Sequence, residues 1–450
     1  MKTAIALASS IVLGAFVLSA AAAGPPSTAR VSVSSAGTQG DRDTFAAGIS
    51  ADGRYVLLNS QARNLVPGDT NDRFDVFVRD RSTGLTTRAS VSSSGAQAQP
   101  GPDPWGGSTA GGISANGRYV VFESDAANLV RGDTNRAPDV FLHDEASGVT
   151  TRVSVSSSGQ QGNGPSGFSA ISADGRYVAF QSLASNLVRS DTNHMTDVFV
   201  RDLRTGKTTR VSVNGRGAQA RCNLSFCEST EPALSAHGRY VAFQSSATNL
   251  VRHDTNRLGD VFVRDRRTGK TTRVSVDSHG RQGGRDRTNN GSNAPAISAD
   301  GRYIVFHSAD SNLVHGDTNK AFDIFMHDRL TGRTTRVSVG NDGQQANGES
   351  LGPASISSDG RYVAFASLAS NIVAGDVNEI TDVFVRDLTT GHTILASLGD
   401  SGQQGTDGSA PATVVFSADD RYLAFSSSSP NLVPDDTNAV PDAFVRDFGG

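Results

Sequence analysis

The chain has 450 residues, of which 48 are glycine and 36% are apolar, with a formal net charge of −4. That length exceeds what one ordinary hydrophobic core serves, so several domains or a repeat architecture are expected. The near-neutral charge leaves no electrostatic footprint for a nucleic acid or a membrane surface.

Residues 1–23 stand apart from the rest. Lys2 precedes an apolar run from Ala4 to Leu18, and the triplet Ala21-Ala22-Ala23 follows. A basic start, a short apolar region and an A-x-A site predict a secretory signal peptide cut before Gly24, leaving 24–450 as the mature chain. The run is short for a membrane anchor, and no later stretch suits a span. The mature protein is therefore expected to be periplasmic or secreted, and monomeric. In an oxidising compartment Cys222 and Cys227 are expected to form a local disulfide. The four residues between them are not the C-x-x-C spacing of a redox pair.

From Arg30 onward one unit repeats seven times. Its clearest copy, 171–213, reads ISADGRYVAFQSLASNLVRSDTNHMTDVFVRDLRTGKTTRVSV. The seven tyrosines mark one position of it: Tyr55, Tyr119, Tyr177, Tyr240, Tyr303, Tyr362 and Tyr422, spaced by 64, 58, 63, 63, 59 and 60 residues. Such a period is the mark of stacked supersecondary units. Each unit predicts four strands: a short one ending at Ile171-Ser172, then 177–181, 197–201 and 208–213. Asp174-Gly175 supplies the positive backbone angles of a tight hairpin between the first two. Six of the seven copies keep that glycine, and the last has Asp419-Asp420.

Val198-Phe199-Val200 is apolar at consecutive positions, which requires both faces of the sheet to be covered. Blades stacked around an axis provide that cover, whereas a two-layer sandwich leaves outer faces wet. The chain ends agree. Residues 29–33 match the fourth strand, and the last unit stops at Phe444-Val445-Arg446-Asp447 without one. The expected fold is an all-β, seven-bladed propeller of four-stranded antiparallel blades, closed by the N-terminal strand completing the last blade.

The stretch S-A-D-G-R-Y-V-A-F at 172–180, followed by D-V-F-V-R-D at 197–202, resembles the TolB-like, WD-like β-propeller repeat. The resemblance covers the chain from about Arg30 to its end. It implies a propeller, and it implies function only broadly, because such repeats serve periplasmic binding and scaffolding proteins, peptidase-attached propellers and some lyases. Two features depart from the family: alanine where proline often precedes Asp-Gly, and a long loop between the second and third strands.

In a meander that long loop shares a face with the link from the fourth strand to the next blade. The loop-rich face is the candidate for binding. The loop repeats N-L-V-x-G-D-T-N-x-x-x-D, with Asp69, Asn71 and Asp75; Asp133, Asn135 and Asp139; Asp191, Asn193 and Asp197; Asp254, Asn256 and Asp260; Asp317, Asn319 and Asp323; Asp376, Asn378 and Asp382; and Asp436, Asn438 and Asp442. Two carboxylates and an amide at this spacing would place several hard oxygens around one calcium ion. The match to an EF-hand loop is partial, since its fifth positions include Arg73, Met195, Leu258 and Ile380. The same residue types build Asx-turns, and turn chemistry alone suffices for their clustering.

The link between blades carries its own mark, G-x-Q, ending at Gln39, Gln97, Gln161, Gln219, Gln282, Gln345 and Gln404. These amides suit a sugar or peptide ligand, or the backbone groups left over where the chain crosses between blades. The longest link holds Pro100, Pro102, Pro104 and Trp105, fit for stacking on a partner or for packing over a blade.

G-x-S-x-G occurs once, at Gly348-Glu349-Ser350-Leu351-Gly352, but inside the repeat array and not in an α/β segment that could make it a nucleophile elbow; no H-E-x-x-H occurs, and the nine histidines share no common repeat position. The Arg-Asp pairs of the third strand are expected to serve as inter-blade pairs and turn caps. The sequence thus points to an exported, non-catalytic binding scaffold for a protein or glycan partner, with no required cofactor and calcium as an open reading of the D-x-N loops. The alternative is a polysaccharide-lyase-like propeller enzyme with a metal site at the channel mouth.

Overall fold

A computed structural model describes residues 25–101, 106–222, 228–284 and 291–449, with the backbone alone for 410–413. The predicted signal peptide, Pro102, Pro104, Trp105 and Cys227 lie outside the described residues. Cys222 is disulfide-bonded.

Seven four-stranded antiparallel sheets form, six of them meanders in chain order. The third blade comprises Ser166–Ile171, Tyr177–Ser182, Asp197–Asp202 and Lys207–Arg210. Its middle strands fall within a residue of expectation, but the outer strand ends at Arg210 and not at Val213. The reason is a serine. The Val211 and Ser212 amides both turn onto the Val198 carbonyl, and Ser212 Oγ accepts the Val198 N–H at 3.1 Å while donating to Asp197 Oδ1 at 2.5 Å. A side chain thereby replaces the ladder, and the chain leaves the sheet.

The seventh sheet contains the expected closure. Ser27–Arg30 pairs with Asp442–Asp447, with Arg30 opposite Phe444, and supplies the outer strand that the last unit lacks. Val31 N–H adds a bond to Ala443 O at 2.8 Å, so no blade is left with three strands. The protein is a seven-bladed β-propeller with its two ends zipped together.

The core consists of seven apolar clusters, one between each pair of neighbouring blades. Consecutive residues of one strand serve different clusters. Phe199 packs with Phe180 and Val121 on one side, while Val198 and Val200 pack with Phe243 and Phe262 on the other. All three residues are fully buried, and each such phenylalanine is worth roughly 1.5–3 kcal/mol relative to exposure. Phe180 and Phe199 also stack within the blade, with ring centroids 5.8 Å apart.

The repeating tyrosine joins blade to blade. Tyr240 lies between Arg239 of its own blade and Arg329 of the next, at 4.7 and 4.3 Å from the ring centroid. Beneath the ring sits the next blade's hairpin glycine, Gly301, whose φ is +75° and whose added Cβ would stand 2.2 Å from Tyr240. Glycine is needed there for its backbone angle and for the closeness of the ring. Where the last unit has Asp420 instead, the residue keeps a positive φ of 61°, and burial beside Asp359 pushes its carboxyl up to about 7.

The first strands of successive blades pack against one another around the ring, from the seventh back to the first. Bulges break their register, and polar side chains of the preceding blade take up freed amides. Asn59 accepts Ala110 N–H at 2.7 Å, Glu123 accepts Phe168 N–H at 2.6 Å and Glu231 accepts Ala294 N–H at 2.8 Å.

Candidate functional site

The two families of long connections meet on one face and brace each other. After each outer strand the chain makes a tight turn and returns its glutamine to the D-x-N loop of the same blade. The glutamine Oε1 accepts the amide of the residue between Asp and Asn in all seven blades: Thr70, Thr134, Thr192, Thr255, Thr318, Val377 and Thr437, at 3.2–3.4 Å. The asparagine of the same loop forms an Asx-turn. Asn71 Oδ1 accepts Arg73 N–H at 3.1 Å, and its Nδ2 donates to Asp75 and to the Ala98 carbonyl. Loops without a ladder of their own are held in this way.

In six blades the two carboxylates of the D-x-N-x-x-x-D loop converge on one guanidinium, supplied by the last residue of the outer strand. Arg88 reaches Asp69 and Asp75, both at 3.5 Å, and Arg152 reaches Asp133 and Asp139 at 3.1 and 3.2 Å. Arg210 reaches Asp191 and Asp197 at 2.8 and 2.9 Å, and Arg273 reaches Asp254 and Asp260 at 3.2 and 3.1 Å. Arg336 lies 3.3 Å from both Asp317 and Asp323. In the seventh blade the partner of Asp436 and Asp442 is Arg30, at 3.4 and 3.9 Å, from the N-terminal strand. Each second aspartate also accepts the hydroxyl of the serine that ends the ladder: Ser90, Ser154, Ser212, Ser275, Ser338, Ser397 and, across the closure, Ser32.

These groups are nearly dry. The Arg88, Asp69 and Asp75 side chains are 6%, 4% and 0% exposed. Burial pushes Asp69 and Asp254 up to about 6, against the pull of Arg88 and Arg273. The residues expected to ligate calcium are thus brought together, and in six blades a protein cation stands between them. Neither the arginine nor the serine figured among the expected site residues, although T-T-R and the following serine recur with the repeat.

The sixth blade departs from this pattern. Leu395 occupies the arginine position and packs into the apolar cluster shared with the preceding blade. Asp376 Oδ1 and Asp382 Oδ2 are buried and have no hydrogen-bond partner.

The third-strand Arg-Asp pairs divide their work. Asp202 accepts Arg176 Nε and Nη2 at 3.1 and 2.7 Å and caps its own turn through Arg204 N–H at 3.0 Å, and the Arg176 hydrogen bond holds its carboxyl well below the usual range. Arg201 instead donates to Ser156 O of the preceding blade and to Gly206 O and Thr208 Oγ1 of its own, at 2.8–3.0 Å. His143 and His327 take the arginine's place and meet Thr150 and Thr334 Oγ1, each at 2.9 Å. Burial pushes His327 down to about 4. Among the described residues no group of three or more His, Cys, Asp or Glu is arranged to hold a metal ion.

A cleft of about 1070 Å³ opens at the rim of the loop-rich face between the fourth and fifth blades. His279, Arg281, His315 and Arg333 line it. Among the described residues the only carboxylate in its wall, Asp277, is taken by Arg281 Nε at 2.6 Å. The His279 and Arg281 side chains remain 80% and 67% exposed, so the cleft presents basic groups to solvent.

Solved structures share this fold. An oligogalacturonate lyase in complex with manganese is 11% identical, with a TM-score of 0.51 over 94% of this chain and 97% of that one. The β-propeller domain of the trilobed protease from Pyrococcus furiosus is 8% identical, with a TM-score of 0.50 over 90% and 95%. TolB from Acinetobacter baumannii is 14% identical with a TM-score of 0.39, over 79% of this chain and 64% of TolB. No protein-family model and no curated protein sequence matches the chain. No helix among the described residues is long and apolar enough to cross a membrane.

Proposed function

We propose that this chain is an exported, non-catalytic propeller scaffold of the TolB-like kind that binds a protein or glycan partner through its loop-rich face. The basic cleft between the fourth and fifth blades carries this reading. It is concave, it is walled by both families of braced loops, and its exposed His279, Arg281, His315 and Arg333 select for an acidic partner. Loops fixed by side-chain networks on a rigid ring present such groups with little entropy left to lose on binding.

The test is a screen of the mature chain against neutral and acidic oligosaccharides and against envelope-protein extract. Binding of an acidic partner, weakened at least about tenfold by Arg333→Ala with His315→Ala, is the expected result. Binding indifferent to both substitutions overturns the cleft as the site. Cleavage of an acidic oligosaccharide with new unsaturated ends would transfer the protein to the lyase class.

A further inference from the structure

We infer that the sixth blade carries a single calcium site in the place that an arginine occupies in the other six. In six blades two aspartates face a guanidinium, and in two of these the G-x-Q glutamine accepts from it as well: Arg88 donates to Gln97 Oε1 at 2.5 Å and Arg336 to Gln345 Oε1 at 2.9 Å, in addition to their carboxylates. The sixth blade keeps the oxygens, as Asp376, Asp382 and Gln404, and replaces the cation with Leu395. Gln404 Oε1 holds its usual post on the Val377 amide at 3.3 Å. Asp382 keeps its serine, Ser397, at 2.5 Å on Oδ1.

Two carboxylate oxygens are then left without a cation. Asp382 is 1% exposed, and its Oδ2, like Asp376 Oδ1, is buried without a hydrogen-bond partner. A buried, uncompensated carboxylate is strongly unfavourable, and two at one site more so. The donors are all hard oxygens, and two negative charges match one divalent ion. Asp376 is half-buried, with Ala374, Gly375, Val377 and Glu379 exposed around it, so water can complete an irregular shell. That combination suits calcium better than magnesium, which demands a near-ideal octahedron.

The experiment is calcium titration of the chelator-treated mature chain by calorimetry, with magnesium in a parallel arm. A saturable single-site isotherm, with a dissociation constant of about 10⁻⁴ to 10⁻³ M for calcium and a weaker one for magnesium, is expected, together with a rise in melting temperature. Leu395→Arg restores the arrangement of the other six blades, and should abolish the isotherm while melting as high without calcium as the wild type does with it. If that variant fails to fold, Asp376→Asn decides, losing at least about tenfold in affinity. A wild type silent to about 10 mM calcium, or a folded Leu395→Arg that binds as the wild type does, overturns the inference.

Discussion

Replacing Gly301 with alanine tests whether the repeating tyrosine locks adjacent blades. Two effects act at that position. The φ of +75° disfavours any residue with a Cβ by about 1–2 kcal/mol. The new methyl would also stand 2.2 Å from Tyr240 Cδ2, inside a stack already closed by Arg239 and Arg329, and forcing an atom into a packed site adds about 1–3 kcal/mol. Gly332→Ala isolates the first effect, because Gly332 has the same φ of +75° with nothing within 4 Å of its added Cβ. The expected losses in urea unfolding are therefore about 1–2 kcal/mol for Gly332→Ala and about 2–5 kcal/mol for Gly301→Ala. In a Tyr240→Ala background the excess should vanish, leaving Gly301→Ala no worse than Gly332→Ala. Equal losses for the two glycines in the wild-type background would refute the reasoning.

Arg210→Met leaves Asp191 and the fully buried Asp197 facing each other without a cation, and should lose about 3–5 kcal/mol in the same assay, whereas Leu395→Met, a volume-conserving change, should lose less than about 1.5 kcal/mol. Deleting 25–33 removes the outer strand of the seventh blade, the Arg30 ion pairs and the Ser32 bond. That should lower the melting temperature more than any substitution above and expose a sheet edge, so light scattering should report association. Stability should peak in mildly acidic solution. Asp69 and Asp254 have folded pKa values near 6, above the unfolded value of about 4, so the folded state binds more protons between those limits and gains stability as pH falls through them. Asp202 and Asp328 are held below the usual range by Arg176 and Arg302. Their contribution is present above about pH 4 and is lost as pH falls below it. A melting temperature that falls steadily from pH 7 to pH 4 would contradict this.

The blade count, the strand content and the closure were all legible in the linear chain, because each depends on neighbours in sequence or on a repeat that can be counted. Tyr177 fixes a phase, Asp174-Gly175 makes a turn from its own dihedral preferences, and 29–33 carries the pattern that the last unit lacks. Strand-three residues such as Val198 and Phe199 declared their two-sided burial by being apolar in succession. The outer strand was read too long because a serine side chain that ends a ladder looks the same in sequence as one that continues it.

What the D-x-N-x-x-x-D loops hold was decided only by the tertiary structure. Asp191, Asp197 and Arg210 are separated by much of a blade along the chain, and only the antiparallel register of the third and outer strands sets the guanidinium between the two carboxylates. A local motif states which oxygens are offered. Whether an arginine, a proton or a metal ion answers them depends on what folding brings opposite, which is why a leucine at 395 carried no visible meaning until its neighbours in space were known.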